Sequence, residues 1–253
     1  MEEKEIFGES MDGEKKKDPE TSKGVFARLW GVLVNPGATF AEIAEAPKTA
    51  GAMVFLLAVF LVLTAGGLAL AEKTAIGAAM MAPPGMNPGA IKAIVWVSVL
   101  IGIPVSLLVG WLILSAFYKL FLTLTGEEIL FRNVWAVVVY SRVPEVFKGL
   151  INVVMVAINP ASYGKVLTSP AVFLPSESKG MLYALLSSFD VFTLWACVLA
   201  AIGISALGVS RKKAYGIVFA VFLAGVVLSV LVASFMPTGM GPGFAPPAGM
   251  TGQ

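Results

Sequence analysis

The amino-acid sequence predicts an all-α membrane protein: a bundle of five transmembrane helices preceded by short amphipathic helices. The first observation is composition, since 57% of the 253 residues are hydrophobic and only 13% are charged, as is typical of membrane proteins. The second is a set of five apolar stretches, each long enough to cross a hydrocarbon layer about 30 Å thick, which takes about 20 residues. The third is that basic residues concentrate on alternate sides of these stretches.

The five stretches are residues 49–71, 91–124, 132–158, 181–208 and 214–235. Backbone N–H and C=O groups inside lipid must be hydrogen-bonded within their own segment, so we predict a helix for each stretch. The chain then divides into a disordered cytoplasmic tail (1–23), amphipathic interfacial helices (24–47), a five-helix transmembrane bundle (48–236) and an extracytoplasmic tail rich in Pro, Gly and Met (237–253).

The interfacial segment is apolar but too interrupted to cross a membrane, and it predicts two short helices. Apolar side chains, Trp30 among them, recur at helical spacing around Arg28. Asn35 followed by Pro36 is typical of a helix start, with Asn as N-cap and Pro in the first turn. We expect both helices to lie in the headgroup plane with Trp30 and Phe40 inserted. The alternative is that they pack as a cap over the bundle.

Lysine and arginine are unequally divided between the two sides of the stretches. Residues 1–48 hold seven basic residues, two more flank the second connection and three lie in the fourth, which makes twelve, against four on the opposite side. Since short cytoplasmic segments carry the basic excess, we predict an integral, multi-pass membrane protein with a cytoplasmic N-terminus and an extracytoplasmic C-terminus. Arg28 and the run Arg211, Lys212 and Lys213 are predicted to contact anionic lipid headgroups.

The segments on the outer side, 80–89 and 236–250, share a composition rich in Met, Pro and Gly that predicts loops. Methionine thioethers are soft ligands that can hold Cu(I). Neither Cys nor His accompanies them, and their spacing is irregular. We therefore expect no metal and no cofactor, and interpret these segments as flexible apolar loops on the outer leaflet.

Polar side chains in the third stretch form the candidate functional site. Arg142 and Glu145 are three residues apart, hence on one helix face, and Lys148 follows by the same step. Pro144 displaces the carbonyl of Tyr140 one turn earlier, which predicts a kink and places Tyr140 in the same polar cluster. Even on the lenient insertion scale, one Arg at mid-bilayer costs about 2.5–3.5 kcal/mol. These charges should therefore pair or reach a polar crevice, and both a transport path and a structural ion pair fit the pattern.

Asp190 and Pro104 complete the set of candidate positions. Asp190 opens the most apolar part of the fourth stretch, and we interpret it as an N-cap at the outer interface. If that helix begins nearer Met181, Asp190 lies deeper and could pair with Arg142 or Lys148. Pro104 predicts a second kink, in the second stretch.

The residues argue against an enzyme. Histidine is absent, which removes His-based zinc sites and Ser–His nucleophiles. Aspartyl proteolysis inside a membrane needs two acids on facing helices, and the stretches offer only Asp190 and Glu145. Phosphate-loop and dinucleotide motifs are absent. A net charge of +2 gives no reason to expect nucleic acid as a partner.

Three short motifs carry a family resemblance: Leu33-Val34-Asn35-Pro36 continuing through Phe40 to Pro47, Tyr140-Ser141-Arg142-Val143-Pro144, and Phe192-Thr193-Leu194-Trp195 continuing through Ile202-Gly203 to Ser210-Arg211-Lys212-Lys213-Ala214. With these motifs, residues 24–235 resemble the prokaryotic form of the Yip (Ypt/Rab-interacting protein) domain family. The resemblance implies five spans, a cytoplasmic N-terminus and self-association. Eukaryotic relatives bind small GTPases in vesicle traffic. The Asp-Leu-Tyr-Gly-Pro motif of those relatives is absent here, so GTPase binding is not carried over.

Two functional hypotheses follow. The first is a non-enzymatic protein of Yip type that scaffolds membrane-protein partners or organises the lipid bilayer through its amphipathic helices, self-association and the basic loop. The second is a small transporter or channel whose kinked helices line a polar path at Arg142, Glu145 and Asp190.

Overall fold

The structure is a computed structural model that describes residues 24–73, 87–159, 162–175 and 180–235. Nine helices form the described part: α1 (Val25–Val34), α2 (Pro36–Glu45), α3 (Ala50–Glu72), α4 (Pro88–Leu124), α5 (Phe131–Ser141), α6 (Val143–Ile158), α7 (Met181–Ser188), α8 (Val191–Ala206) and α9 (Arg211–Phe235). A 3₁₀ turn at Pro170–Phe173 follows α6, and these ranges contain no strand. The all-α prediction is therefore confirmed. The predictions for the tails 1–23 and 237–253 and for most of the methionine-rich segments lie outside the described residues.

Three helices, α3, α4 and α9, are long and apolar enough to cross a membrane. The pair α7 and α8 adds a fourth span if the two helices, which are bent by 50° at their break, cross together. The third predicted stretch is divided into α5 and α6 and is not among these candidates. The described helices thus support an integral membrane protein with three or four candidate spans, and they do not confirm the count of five.

Helix α4 is longer and less regular than we predicted. It begins at Pro88, three residues before the predicted start, and the Asn87 side chain caps it by accepting hydrogen bonds from the backbone N–H groups of Gly89 and Ala90. At 37 residues and 1.5 Å per residue, it is about 55 Å long. A π-helical turn at Ser98–Gly102 precedes Pro104. The irregularity predicted at Pro104 therefore takes the form of one wide turn just before the proline.

Helix α5 lies at the centre of the fold, and other helices cover most of its surface. Every residue from Ala136 to Pro144 is buried, and α5 packs against α2, α4 and α8. Gly203 of α8 makes the closest approach: a Cβ there would lie 2.6 Å from Val137 Cγ1 and 3.0 Å from Phe40 Cδ1. Small residues in the fourth stretch thus permit dense packing.

Helices α1 and α2 pack over one end of the bundle as a cap, which was the alternative rather than the preferred prediction. Phe40 is 1% exposed and Arg28 is 6% exposed, so neither contacts headgroups as we expected. Both short helices were predicted correctly, and Pro36 does begin α2. The Asn35 side chain, however, makes no capping hydrogen bond. The two helices form a cap rather than lying in the headgroup plane because the apolar stripe of α2 is buried against α8.

We call the two ends of the bundle the near end and the far end. The near end holds α1 and α2 and the connections 125–130 and 207–210, since Lys213 reaches from the start of α9 to Glu127. The far end holds the end of α3 and the start of α4, joined by an ion pair between Glu72 and Lys92 at 3.0 Å. Helices α3 and α6 run in parallel towards the far end, because Leu63 lies beside Gly149 and Gly67 beside Val153.

Candidate functional site

The break between α5 and α6 positions the candidate site. Pro144 has no N–H and stands in the first turn of α6, where that donor is not needed. Arg142 ends α5 and precedes α6, and its N–H is bonded to the carbonyl of Val139, three residues back, at 3.2 Å. The helix is therefore interrupted at Arg142, two residues before the proline. Glu145 falls in the first turn of α6, where the helix dipole favours a carboxylate.

Arg142 and Glu145 form the first of two ion pairs in the bundle interior. Arg142 Nη1 lies 2.7 Å from Glu145 Oε1, and the two side chains are 9% and 20% exposed. Tyr118 of α4 and Cys197 of α8 lie close enough to interact electrostatically with the guanidinium. The Nε atom of Arg142 is buried and has no hydrogen-bond partner in the described part of the chain. The pair thus joins α6 to the core around α4 and α8.

Lys148 and Asp190 form the second pair, one turn further along α6. Lys148 Nζ lies 3.6 Å from Asp190 Oδ1, and the carboxylate is 1% exposed. Asp190 is also the N-cap of α8, since its Oδ1 accepts from the N–H groups of Phe192 and Thr193 at 3.0 Å each. The hydroxyl of Thr168 donates to Oδ2. Asp190 is therefore both a helix cap and a buried acid paired with Lys148, so features of both interpretations are present.

Both pairs lie along one line of contact between α6 and α8, which we call the charged seam. Asp190 and Cys197 are seven residues, about two turns, apart on α8 and hence on one face, and they face Lys148 and Arg142 respectively. Sequence reasoning anticipated the four charged members. It missed Tyr118 and Thr168, because nothing in their local sequence indicates which distant segment they contact.

Tyr140, predicted to belong with these charges, is part of a separate network. Its hydroxyl donates to the carbonyl of Lys48 at 2.9 Å, and Arg28 lies beside the phenol. Arg28 Nη1 donates to the carbonyl of Ala46 at 3.1 Å. Together these contacts attach the α2–α3 linker to α1 and α5 at the near end. Arg28 is thus engaged inside the protein rather than at headgroups.

One of the three basic residues at the start of α9 contacts other parts of the protein, and the other two are exposed. Arg211 and Lys212 are exposed and available to headgroups. Lys213 Nζ lies 2.6 Å from Glu127 Oε1 and 3.2 Å from the carbonyl of Thr125. Trp30 is 66% exposed, so its predicted contact with lipid stays a prediction.

Two cavities in the described part of the chain are lined by residues other than the ion-paired side chains. One, of about 260 Å³, lies between α3 and α6 towards the far end. The other, of about 490 Å³, lies at the 125–130 connection and is lined by Lys119, Glu127 and Glu128 among others. Among the described residues, no cluster of three or more His, Cys, Asp or Glu side chains could hold a metal ion. Arg142 and Asp190 are buried, each contacts a side chain of opposite charge, and neither of these two cavities includes them.

Comparison with known proteins identifies a family. Residues 30–234 match the family described as the Yip1 domain. No curated protein and no solved structure matches the chain.

Proposed function

The chain belongs to the Yip1 domain family, and from this premise we propose that it is a non-enzymatic membrane protein that organises the bilayer and scaffolds other membrane proteins. The observation that carries the proposal is the pairing of the intramembrane charges. A transport path needs ionisable groups that meet water or substrate. Arg142 and Asp190 instead contact Glu145 and Lys148 in the packed interior.

The outer face of α1 supports a role in the bilayer. Phe26, Trp30 and Val34 are 68%, 66% and 65% exposed and recur every four residues, so they form one stripe; we call it the α1 stripe. The opposite face of α1, with Leu29 and Val32, is buried against the protein. A helix with apolar side chains on both faces fits a position between the bundle and lipid.

In this proposal the α1 stripe lies at the depth where one leaflet begins. Phe26 packs edge-on against Phe55, in the second turn of α3, with ring centroids 4.9 Å apart. Burial of a Phe or Val side chain is worth about 1.5–3 kcal/mol, so the stripe favours insertion over contact with water. We propose that α1 occupies area in the leaflet at the near end only, and such one-sided insertion favours curved membranes.

The near end is proposed to be cytoplasmic. It gathers the capping helices and the two connections that carry the basic excess, as the distribution of Lys and Arg predicts. In this proposal α5 and α6 together make the third crossing and α7 and α8 the fourth. The chain then crosses five times, with its C-terminus outside. The exposed Arg211 and Lys212 add attraction to anionic headgroups, about 1 kcal/mol per basic residue near the surface.

Reconstitution into liposomes tests the proposal. The wild-type protein should convert large vesicles into smaller or tubular ones, as seen by electron microscopy. The double variant Phe26→Ser/Trp30→Ser should lose this activity. A matched control is Ala38→Ser/Ala41→Ser, which changes two exposed positions of α2 and should retain it. Equal vesicle reshaping by both double variants would contradict the role of α1.

Solute and ion flux across the same liposomes tests the transport alternative. We expect the wild type and Glu145→Gln to leave permeability at the level of protein-free liposomes. Uptake by the wild type that is abolished in Glu145→Gln, at equal amounts of folded protein, would overturn the scaffold proposal and favour a polar path at Arg142, Glu145 and Asp190.

A further inference from the structure

The cavity between α3 and α6 has both apolar and polar side chains in its lining. Apolar side chains of both helices form its walls, among them Phe60, Leu63 and Val153. It also contains polar side chains well inside the helices: Thr64 of α3 and Asn152 of α6. Thr64 is eight residues before the end of α3, about 12 Å along the axis, and Asn152 is six residues, about 9 Å, before the end of α6.

These two polar side chains lack partners in the described part of the chain, where neither the Asn152 amide nor the Thr64 hydroxyl makes a hydrogen bond. Their surroundings face lipid, since Ile151 and Val154 on α6 are 38% and 56% exposed. An amide in hydrocarbon is strongly disfavoured unless another group supplies its hydrogen bonds. The cavity therefore favours an occupant with polar atoms at this depth.

The rim of the cavity adds a positive charge and a hydroxyl donor. Lys165 and Tyr163 line it at the far end. Burial and the nearby carboxylate of Glu72 raise the pKa of Tyr163, so its hydroxyl keeps its proton and can donate. Glu72 is itself held by Lys92 at 3.0 Å and by the indole N–H of Trp96 at 2.7 Å.

We propose that this cavity binds one phospholipid from the leaflet at the far end. The order of groups along the cavity matches that of a phospholipid. The phosphate meets Lys165 and Tyr163 at the rim, and the ester carbonyls accept from Asn152 and Thr64 below it. The acyl chains then lie over the apolar surface that α3 and α6 expose. This site is separate from the proposed action of α1, which lies at the opposite end of the bundle.

Two neighbouring glycines of α3 provide the test. A Cβ on Gly67 would lie 3.9 Å from both Tyr163 and Val153, inside the cavity, whereas a Cβ on Gly66 would meet nothing within 4 Å. Gly67→Leu should fill the site, and Gly66→Leu places the same side chain in the same helix outside it. The full-length protein is purified in mild detergent, mixed with deuterated phosphatidylglycerol and analysed by native mass spectrometry.

We expect wild type and Gly66→Leu to retain a single phosphatidylglycerol. Gly67→Leu should bind it about tenfold more weakly or worse, since a misfit of one methylene in an apolar pocket is worth about 10–200-fold. Asn152→Leu, which removes the amide without filling the site, should also weaken retention, and Lys165→Ala should reduce the preference for phosphatidylglycerol over phosphatidylcholine. Retention by Gly67→Leu equal to wild type, which would mean that the lipid binds elsewhere, or no lipid retained by wild type, would overturn the proposal.

Discussion

Removal of one partner from the Arg142–Glu145 pair is the sharpest test of the structural role of the charged seam. Glu145→Gln keeps the shape of the side chain and removes its charge. The buried guanidinium of Arg142, 9% exposed and without a partner at Nε among the described residues, would then lose its counter-ion. If the pair is structural, the variant should lose stability and no transport activity should change.

The magnitude follows from the burial of the two groups. A hydrogen bond to a charged group contributes about 1.5–3 kcal/mol, and removal of one partner from a fully buried ion pair costs about 3–5 kcal/mol. Glu145 is 20% exposed, and Gln retains an acceptor for Arg142. We therefore expect Glu145→Gln to lower the free energy of unfolding by about 1.5–3 kcal/mol.

Replacement of both partners should be much less harmful. Apolar side chains of similar volume can replace a buried pair at little or no loss of stability, because no unpaired charge remains. The double variant Arg142→Met/Glu145→Leu should therefore lie within about 1 kcal/mol of wild type. Either substitution alone should cost more than the two together.

Unfolding by SDS in mixed micelles, followed by tryptophan fluorescence, measures these differences on the full chain. Glu128→Gln is the matched control, since Glu128 is exposed on the 125–130 connection, and it should change stability by less than about 0.5 kcal/mol. A Glu145→Gln protein as stable as this control would refute the reasoning. So would a double variant less stable than both single variants.

Three further variants test the packing around the seam. Asp190→Ala should be less stable than Asp190→Asn by about 1 kcal/mol in thermal unfolding, because Asn still caps α8; equal losses would show that the cap contributes nothing. Gly203→Ala should cost about 1–3 kcal/mol through its clash with α5, whereas Gly216→Ala, which meets nothing within 4 Å, should be neutral or stabilising; the reverse order would contradict the close helix approach. Tyr140→Phe should cost about 0.5–1.5 kcal/mol and speed hydrogen exchange in α1 and α2. Unchanged exchange would show that the Tyr140 hydrogen bond does not hold these two helices in place.

The position of α1 connects these results to function. If α1 and α2 were loosely attached, insertion of the α1 stripe would not act on the rest of the bundle. Arg28 and Tyr140 instead attach the α2–α3 linker to the core. If α1 inserts into the leaflet as proposed, this attachment would couple it to the bundle, so Tyr140→Phe should also weaken vesicle reshaping.

Local chemistry was enough to predict where the chain is helical, although the third and fourth stretches, each predicted as one helix, form two helices apiece. The apolar stretches predicted the ends of α3 and α9 to within a few residues, since length and hydropathy are properties of a continuous segment. Pro36 begins α2 and Asp190 caps α8 as predicted, because both features depend on residues three or fewer positions apart. The family resemblance, which rests on short local motifs, was confirmed over residues 30–234.

Contacts between distant segments were decided only by the tertiary structure. An amphipathic helix has the same pattern whether its apolar face meets lipid or protein, so the sequence did not reveal that Arg28 of α1 and Phe40 of α2 are buried between these helices and the rest of the bundle. The partner of Asp190 depended on how α6 and α8 pack, and Tyr140 proved to face Lys48 rather than the charged seam. Periodicity determines which residues share a face, and packing alone determines what that face touches.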